Sequence, residues 1–529
     1  MKSFNTTAVC IPSKHYMVDI SGRIKEIRKM VDAGKYFTIN RARQFGKTTT
    51  LNALCDALQG EYVVISLSFE GIGNAGFASE GTFVLAFCRL LKRLQRTGLT
   101  VPDSVKTEIE QLFQQDKDWI TLGDLSDLIS DWCDVSEKKL VLLIDEIDSA
   151  TNNQVFMDFL AQLRGAYISR ESRGTPAFHS VILAGVHDIR NLQLKIRSDS
   201  EHRHNSPWNI AARFDVDMSF SPDDIAGMLT EYEADHHTGM DIKAISQLIY
   251  DYTSGYPVLV SIFGMILDEQ LTDLPEFPDL SAAWTKKGIL RAEKLMYKQR
   301  MPLFESLINK LEENDKLRDL VYRVLFHGER IPFNIYDATI GEAAMYGFLK
   351  DVDGVVTVAN RIFQNTLYDW FLSQERNNEI TNAGSKGKPS FIQNGHLNME
   401  LVLERFVQSF SDIYGNNTER FIENDGRKLF LMYLRPIING VGNCYIESQT
   451  MDLTRTDVIV DYLGEQFIIE MKIWHGAEYN ARGEQQLIGY LENYHVNKGY
   501  MLSFNFNQNK EVGLHTIQIG DKTIVEAIV

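Results

Sequence analysis

Five short apolar runs punctuate the first 220 residues, and a longer amphipathic stretch follows nearly every one. The runs are YFTIN (Tyr36–Asn40), YVVISLSF (Tyr62–Phe69), LVLLID (Leu140–Asp145), SVILAGV (Ser180–Val186) and FDVDMSF (Phe214–Phe220). They are rich in Val and Ile and bounded by polar turns, as strands buried on both faces are. The stretches between them, Thr48–Gln59 and Thr82–Leu94 among them, carry helical patterns. Strand–helix alternation over this length leaves few folds open. It predicts the α/β class: a mostly parallel sheet covered by helices on both faces.

At roughly 150 residues per domain, 529 residues predict three or four domains. The alternation defines a first domain over residues 1–221. A helical stretch with few strand signals, 222–313, reads as a lid. Residues 314–374 run helix, helix, hairpin, helix, a winged-helix-like order. The polar stretch ERNNEITNAGSKGKPSFIQN reads as a linker, 375–396. A second α/β pattern occupies 397–529: helix Leu397–Phe410, strands Lys428–Leu434, Asp457–Tyr462 and Gln466–Lys472, helix Arg482–Tyr494 and strand Gly499–Phe504.

A 44% hydrophobic and 24% charged chain excludes wholesale disorder. No apolar run approaches the roughly 18 residues of a membrane span, and no apolar leader marks the N-terminus. The five cysteines, Cys10, Cys55, Cys88, Cys133 and Cys444, lack CxxC spacing, so neither a disulfide framework nor a zinc site is expected. A reducing cytoplasm is the expected location. The net charge of −17 excludes a general nucleic-acid affinity. Residues 1–60 depart from it, with ten Lys/Arg against four Asp/Glu.

That basic segment contains INRARQFGKTTTLNAL, a strand, a loop ending in Gly46-Lys47-Thr48-Thr49, and a helix. A phosphate cradle needs this order, because loop N–H groups and the helix N-terminus then point at anionic oxygens. Gly46 allows close approach, Lys47 would reach the β- and γ-phosphates, and the Thr48 hydroxyl would hold Mg²⁺. The pattern GxxxxGK[ST] is broken at Arg41, which stands where its first glycine belongs. Nearly 100 residues on, LVLLIDEID puts Asp145 and Glu146 at the end of an apolar strand. Asp145 would hold Mg²⁺ and Glu146 would polarise the attacking water. His187 and Asp188 follow the fourth run and read either as sensors of the γ-phosphate or as satisfied polar groups at a strand end. Arg213 reads either as a phosphate-facing arginine or as half of a surface ion pair.

These residues resemble the AAA-like ATPases, close to their STAND-type branch, over about residues 10–375. HYMVD (His15–Asp19) and the variant loop RARQFGK look like that group's opening segment and phosphate loop. TSGYPVLV is similar to its glycine–x–proline lid element, here Gly255 and Pro257, which in the family lies near the nucleotide base. The resemblance implies ATP and Mg²⁺ as ligands, with Gly46, Lys47, Thr48, Thr49, Asp145 and Pro257 around the nucleotide. It leaves a homo-oligomer open.

The segment RTDVIVDYLGEQFIIEMKIW reads as a hairpin. With Gly464 and Glu465 as a two-residue turn, Leu463 pairs with Gln466, Val460 with Ile469 and Asp457 with Lys472. Asp457, Glu470 and Lys472 then share one face. Two acids there can bind a divalent metal through hard oxygens, and the lysine can orient a water. An ion pair on an amphipathic strand is the plainer reading of the same charges. The spacing D–x(12)–E–x–K resembles the PD-(D/E)XK nuclease superfamily, over about residues 397–529. Glu404, or Glu400, would supply that fold's additional acid. Gln486 and Tyr490 look like its glutamine–tyrosine element. The proline of the signature is absent, since Thr456 precedes Asp457. The resemblance implies Mg²⁺ or Mn²⁺ held by Asp457, Glu470 and Glu404.

The whole chain thus resembles bacterial proteins that join an AAA-like ATPase to a nuclease-like domain. The implied function is ATP control of a Mg²⁺-dependent nuclease acting on nucleic acid, DNA in the first instance, in mobile-element or phage defence. The alternative is a STAND-type nucleotide switch whose C-terminal domain binds or senses a partner without cutting.

Overall fold

Strand β3 (Leu140–Asp145) shows how the apolar runs organise the N-terminal half. Its residues alternate faces. Leu140, Leu142 and Ile144 enter one hydrophobic cluster, while Val141 and Leu143 enter another on the opposite side. β4 (Ser180–Gly185) divides in the same way, with Val181 and Leu183 facing one cluster and Ile182 and Ala184 the other. A run buried on both sides has no polar face, which is why these segments read as continuous apolar stretches.

The structure is a computed structural model describing residues 2–7, 9–186, 208–326, 329–374, 379–414, 423–438, 442–447, 456–463, 465–474, 477–493, 496–505, 507 and 510–529. The chain divides into two units, one of Met1–Ile289 with Met345–Gly347, the other of Leu290–Ala344 with Phe348–Val529. That division falls inside the helical stretch 222–313.

The first unit begins with α1 (Ser21–Asp32), β1 (Tyr36–Asn40), α2 (Lys47–Leu58) and β2 (Val63–Ser68). Three helices follow, α3 (Glu80–Arg96), α4 (Asp103–Gln114) and α5 (Leu122–Val135); then come β3, α6 (Gln154–Arg173) and β4. The sheet order is β1-β4-β3-β2 and every pairing is parallel. α2 presents Leu51, Leu54 and Leu58 to the cluster that holds Val141 and Leu143. α3 starts at a reciprocal capping box of Ser79 and Thr82 and lays Phe83 and Phe87 on the other cluster. The fifth apolar run, Phe214–Phe220, forms no strand. Only Ala212, just before it, bridges to Phe37. Phe214 stacks on Phe37 with ring centroids 5.9 Å apart, so the run's apolar residues serve packing beside β1.

Helices α7 (Pro222–His236), α8 (Ile242–Thr253), α9 (Pro257–Met265) and α10 (Leu280–Ala283) come next. Ser221 caps α7 and Pro222 opens it. The N-terminal segment docks on this layer: Phe4 is buried among Tyr16, Tyr232 and Trp284. Gly264 makes room for it, since a Cβ there would meet the Phe4 ring at 2.4 Å.

In the chain order α11 (Lys286–Lys298), α12 (Pro302–Glu313), α13 (Asp315–Phe326) and α14 (Ala338–Met345) lead to the hairpin β5 (Leu349–Val352) and β6 (Val355–Val358), then α15 (Arg361–Gln374). From α13 onward this is the helix, helix, hairpin, helix order expected of residues 314–374. The polar stretch expected as a linker instead carries a helix, α16 (Glu379–Phe391). Its Gly384 lies against α18 (Glu423–Ile438), where a Cβ would meet the Tyr433 carbonyl oxygen at 2.1 Å. The glycine serves close helix–helix approach. α18 also overturns the strand expected at Lys428–Leu434. Phe430 to Leu434 are all buried, so the segment shows no polar face, and a short apolar run of that kind does not discriminate helix from strand.

The second sheet has the order β13-β14-β12-β11-β10-β9. After the hairpin β7 (Ile392–Gln393) and β8 (His396–Leu397) and helix α17 (Met399–Tyr414), its strands are β9 (Gly442–Glu447), β10 (Thr456–Tyr462), β11 (Glu465–Ile473), β12 (Lys498–Phe504), β13 (Gly513–Ile519) and β14 (Lys522–Ile528), with α19 (Ala477–Asn493) between β11 and β12. β11, β12 and β14 are parallel to one another; β9, β10 and β13 run antiparallel to their neighbours. α19 packs Leu487, Tyr490 and Leu491 on Ile468, Met501 and Ile524. The β10–β11 hairpin turns one residue earlier than expected. Tyr462 pairs with Glu465, and Val460 pairs with Phe467 rather than Ile469. Leu463 takes φ +52° in that turn. An offset of two residues preserves strand parity over the paired residues Val458–Tyr462. Among the described residues no helix is long and apolar enough to cross a membrane.

Candidate functional site

The phosphate-loop candidates lie where β1 passes into α2. Gly46 sits at the N-cap with φ +79°, and nothing lies within 4 Å of the position its Cβ would take. Lys47 is buried, and its Nζ donates to the carbonyls of Arg41 and Ala42 at 3.0 Å each. Burial lowers its pKa, against the opposing pull of Asp148, Glu146 and Asp145. The Thr48 hydroxyl donates to Asp145 Oδ2 at 2.6 Å. Thr49 Oγ1 accepts from the Cys10 N–H at 3.3 Å. Arg41 has a structural occupation: it donates to the carbonyls of Val216, at 2.7 Å, and Asn40, at 2.9 Å, and lies over the Phe214 ring. The left-handed residues of the loop are Gln44 and Gly46, not Arg41, so the loop enters without a glycine at that place.

The β3 end faces this loop. Asp145 is buried, and Glu146 has φ +55°. Burial, then the neighbouring Asp145 carboxylate, raises the Glu146 pKa, with Lys47 opposing. Pro257 opens α9 and lines a cavity of about 120 Å³ together with Gly46, Thr49, Phe45, Val18 and Met228. Gly255 before it is required by geometry, because a Cβ would meet the Phe220 carbonyl oxygen at 1.9 Å. The segment 5–7 and Cys10 also line the cavity, and no motif in the sequence pointed to them. His187 and Asp188 lie outside the described residues. Arg213 is exposed and paired with Asp215, the plainer of its two readings.

The C-terminal candidates meet in part. Glu470 and Lys472 of β11 are both buried. Lys472 Nζ lies 3.5 Å from Glu470 Oε1 and donates to Gln486 Oε1 of α19 at 3.2 Å. Gly483 of α19 gives the lysine passage, since a Cβ there would lie 2.8 Å from Nζ. Tyr490 packs in the apolar cluster over Ile468. Two acids not anticipated stand nearby. Glu526 of β14 is buried and accepts from Ser503 Oγ at 2.6 Å. Glu484 of α19 has its pKa raised by burial and then by Glu526. Their strand and helix positions gave no motif. Glu404 is exposed on α17, and Glu400 pairs with Lys498. The Asp457 side chain lies outside the described residues.

The family model for the AAA-like domain matches residues 4–365. The chain belongs to the AAA-like family. No curated protein matches its sequence significantly. Among solved structures, the AAA-like chain is similar to a Walker-type ATPase of Pyrococcus abyssi, at 12% identity and TM-score 0.44, covering 69% of this chain and 99% of the other. The ORC2 protein of Aeropyrum pernix, in ADPNP and ADP complexes, gives 12% identity and TM-score 0.37 over 70% and 98%. The ORC1 protein of the same organism, in complex with DNA, gives 11% and 0.29 over 68% and 94%.

The residues of this AAA-like protein fit Mg²⁺ and ATP. Thr48 and Asp145 bring two hard oxygens within 2.6 Å of each other, the donor type that Mg²⁺ takes. Gly46 and Thr49 of the loop and Pro257 of α9 line one cavity. Among the described residues no group of three or more His, Cys, Asp or Glu could hold a metal ion.

Proposed function

We propose that this AAA-like protein binds and hydrolyses ATP, and that its nucleotide state controls a nuclease activity seated on β11 and α19. The 2.6 Å contact between Thr48 and Asp145 carries the first part, since it joins the phosphate loop to the acidic strand end. On nucleotide binding Lys47 exchanges its two loop carbonyls for phosphate oxygens, a stronger, charge-assisted contact. Gly46 and the following N–H groups cradle the anion. Bound Mg²⁺ would be held by Thr48 and Asp145 and would neutralise phosphate charge. Glu146 takes the proton of the attacking water; its raised pKa favours that role. Pro257 would lie near the base, as the resemblance implies, and Thr49 lines the same cavity.

The nuclease reading is supported by Lys472 and Glu470 buried side by side on a core strand, with Gln486 holding the ammonium. Buried charges cost several kcal/mol unless paired, and a core strand has no structural need of them. Lys472 would orient water or a phosphate oxygen. DNA is the substrate class that the family resemblance implies. A second reading, a nucleotide switch that senses a partner through this half, is favoured by the plain pairing of Lys472 with Glu470 and Gln486.

A nuclease assay with and without ATP separates them. Wild type should cut DNA in the presence of Mg²⁺ or Mn²⁺, Glu470→Ala and Lys472→Ala should lose cutting while keeping ATP turnover, and Lys47→Ala should lose the dependence on ATP. Cutting by Glu470→Ala at the wild-type rate would refute the nuclease reading.

A further inference from the structure

Glu146 lies in the left-handed region, φ +55° and ψ +42°, where Cβ crowds the backbone of any residue but glycine. Such a conformation persists only where the surroundings over-determine it. Here three contacts do so. Asp145 Oδ1 accepts the Glu146 N–H at 2.9 Å. Ser149 Oγ reaches the Glu146 carbonyl at 3.1 Å and the Phe69 carbonyl, just beyond β2, at 3.3 Å. Both carboxylate oxygens of Asp148 take the Val186 N–H, at 2.8 and 3.0 Å. That last contact stitches the 3-10 turn Ile147–Ser149 to the end of β4. Gly185 is cut to suit it. A Cβ there would lie 2.6 Å from Ile147 Cγ1 and 3.1 Å from Asp148 Oδ1. Ile147 is fully buried, and Thr151 Oγ1 donates to the Asp148 carbonyl at 2.9 Å.

We propose that Asp148 is a positioning residue for ATP hydrolysis: by clamping the Val186 N–H it fixes the turn that aims the Glu146 carboxylate at the nucleotide. This rests on the proposed role of Glu146. Asp148 acts through that turn and need not touch the nucleotide. A misaimed general base loses rate while the loop keeps its hydrogen bonds to the nucleotide. The charge of Asp148, which also pulls on Lys47, is removed equally in Asp148→Ala and Asp148→Asn, so the difference between those two variants reads the clamp on the Val186 N–H alone. An amide at position 148 still offers one oxygen to the Val186 N–H, so the conservative variant should recover most of the rate.

The test is steady-state ATP hydrolysis by the full chain, with binding of a fluorescent ATP analogue in Mg²⁺, for wild type, Glu146→Gln, Asp148→Ala, Asp148→Asn and Gly185→Ala. Asp148→Ala should lower kcat by about tenfold to a hundredfold with KM and analogue Kd within about twofold of wild type. Asp148→Asn should return to within about threefold. Gly185→Ala, which pushes on the turn from the β4 side, should lower kcat with Kd unchanged. Wild-type kcat in Asp148→Ala, or nucleotide affinity lost in proportion to kcat, would overturn the proposal. Should Asp148→Ala not fold, as read by its melting curve, wild-type kcat in Gly185→Ala overturns it instead. Equal turnover by wild type and Glu146→Gln would bring down the underlying role of Glu146, an outcome distinct from failure at Asp148 alone.

Discussion

Arg41 stands where the phosphate-loop pattern has its first glycine, yet its backbone needs no glycine there, because the left-handed turns fall at Gln44 and Gly46. Its guanidinium instead ties the loop to Val216 and Phe214. The sequence could show that the pattern was broken but not that a long side chain had found work next door. His179, just before β4, gives a prediction at this scale. Its ring stacks on Tyr62, 5.6 Å between centroids. Burial, then Lys139 and Arg170, hold its pKa below the ordinary 6.5. As pH falls the unfolded chain therefore takes up the proton first, so the stability from the neutral ring is whole above the ordinary value and is lost as pH drops through the lower, folded-state value. Melting temperatures taken from about pH 7.5 to about pH 5.5 should fall more steeply for wild type than for His179→Gln. Parallel curves would show that the ring has no such depressed titration.

At the scale of elements, local periodicity served best where a segment had two unlike faces or two buried ones. β3 and β4 were legible because alternate residues feed two separate clusters. α16 and α18 were not. α18 is apolar all round over Phe430–Leu434, and α16 has the glycines and polar residues of a flexible connector. What made α16 a helix is its neighbour, a tertiary cause with no local signal. Gly384→Ala tests that cause. The added methyl would press on the Tyr433 backbone, and overpacking of this sort costs about 1–3 kcal/mol. Urea unfolding of the variant should show a loss of that order; unchanged stability would mean that α16 and α18 do not meet as closely as described. The β10–β11 hairpin shows the complementary case. Its register differs by two residues from the expected one, yet the face carrying Glu470 and Lys472 survives, since parity and not register decides it.

Over the whole molecule, two groupings of side chains were legible because charged residues interrupt or end apolar strands: Asp145 at the end of β3 beside the loop after β1, and the buried pair Glu470 and Lys472 on β11. The cavity beside Pro257 was hardly legible. It draws on segments near residues 5–7, 18, 45, 228 and 257, whose meeting depends on the N-terminal segment docking through Phe4. Glu526 and Glu484 escaped notice for the same reason, being brought to the Lys472 side of the sheet by β14 and α19 and not by spacing. The central claim is that the first centre is a working ATP site. Binding and turnover of Mg²⁺–ATP by wild type and Lys47→Ala, measured side by side, test it most directly. The account predicts saturable binding and hydrolysis by wild type and a loss of about a hundredfold or more in turnover for the variant. Equal turnover by the two proteins would contradict it.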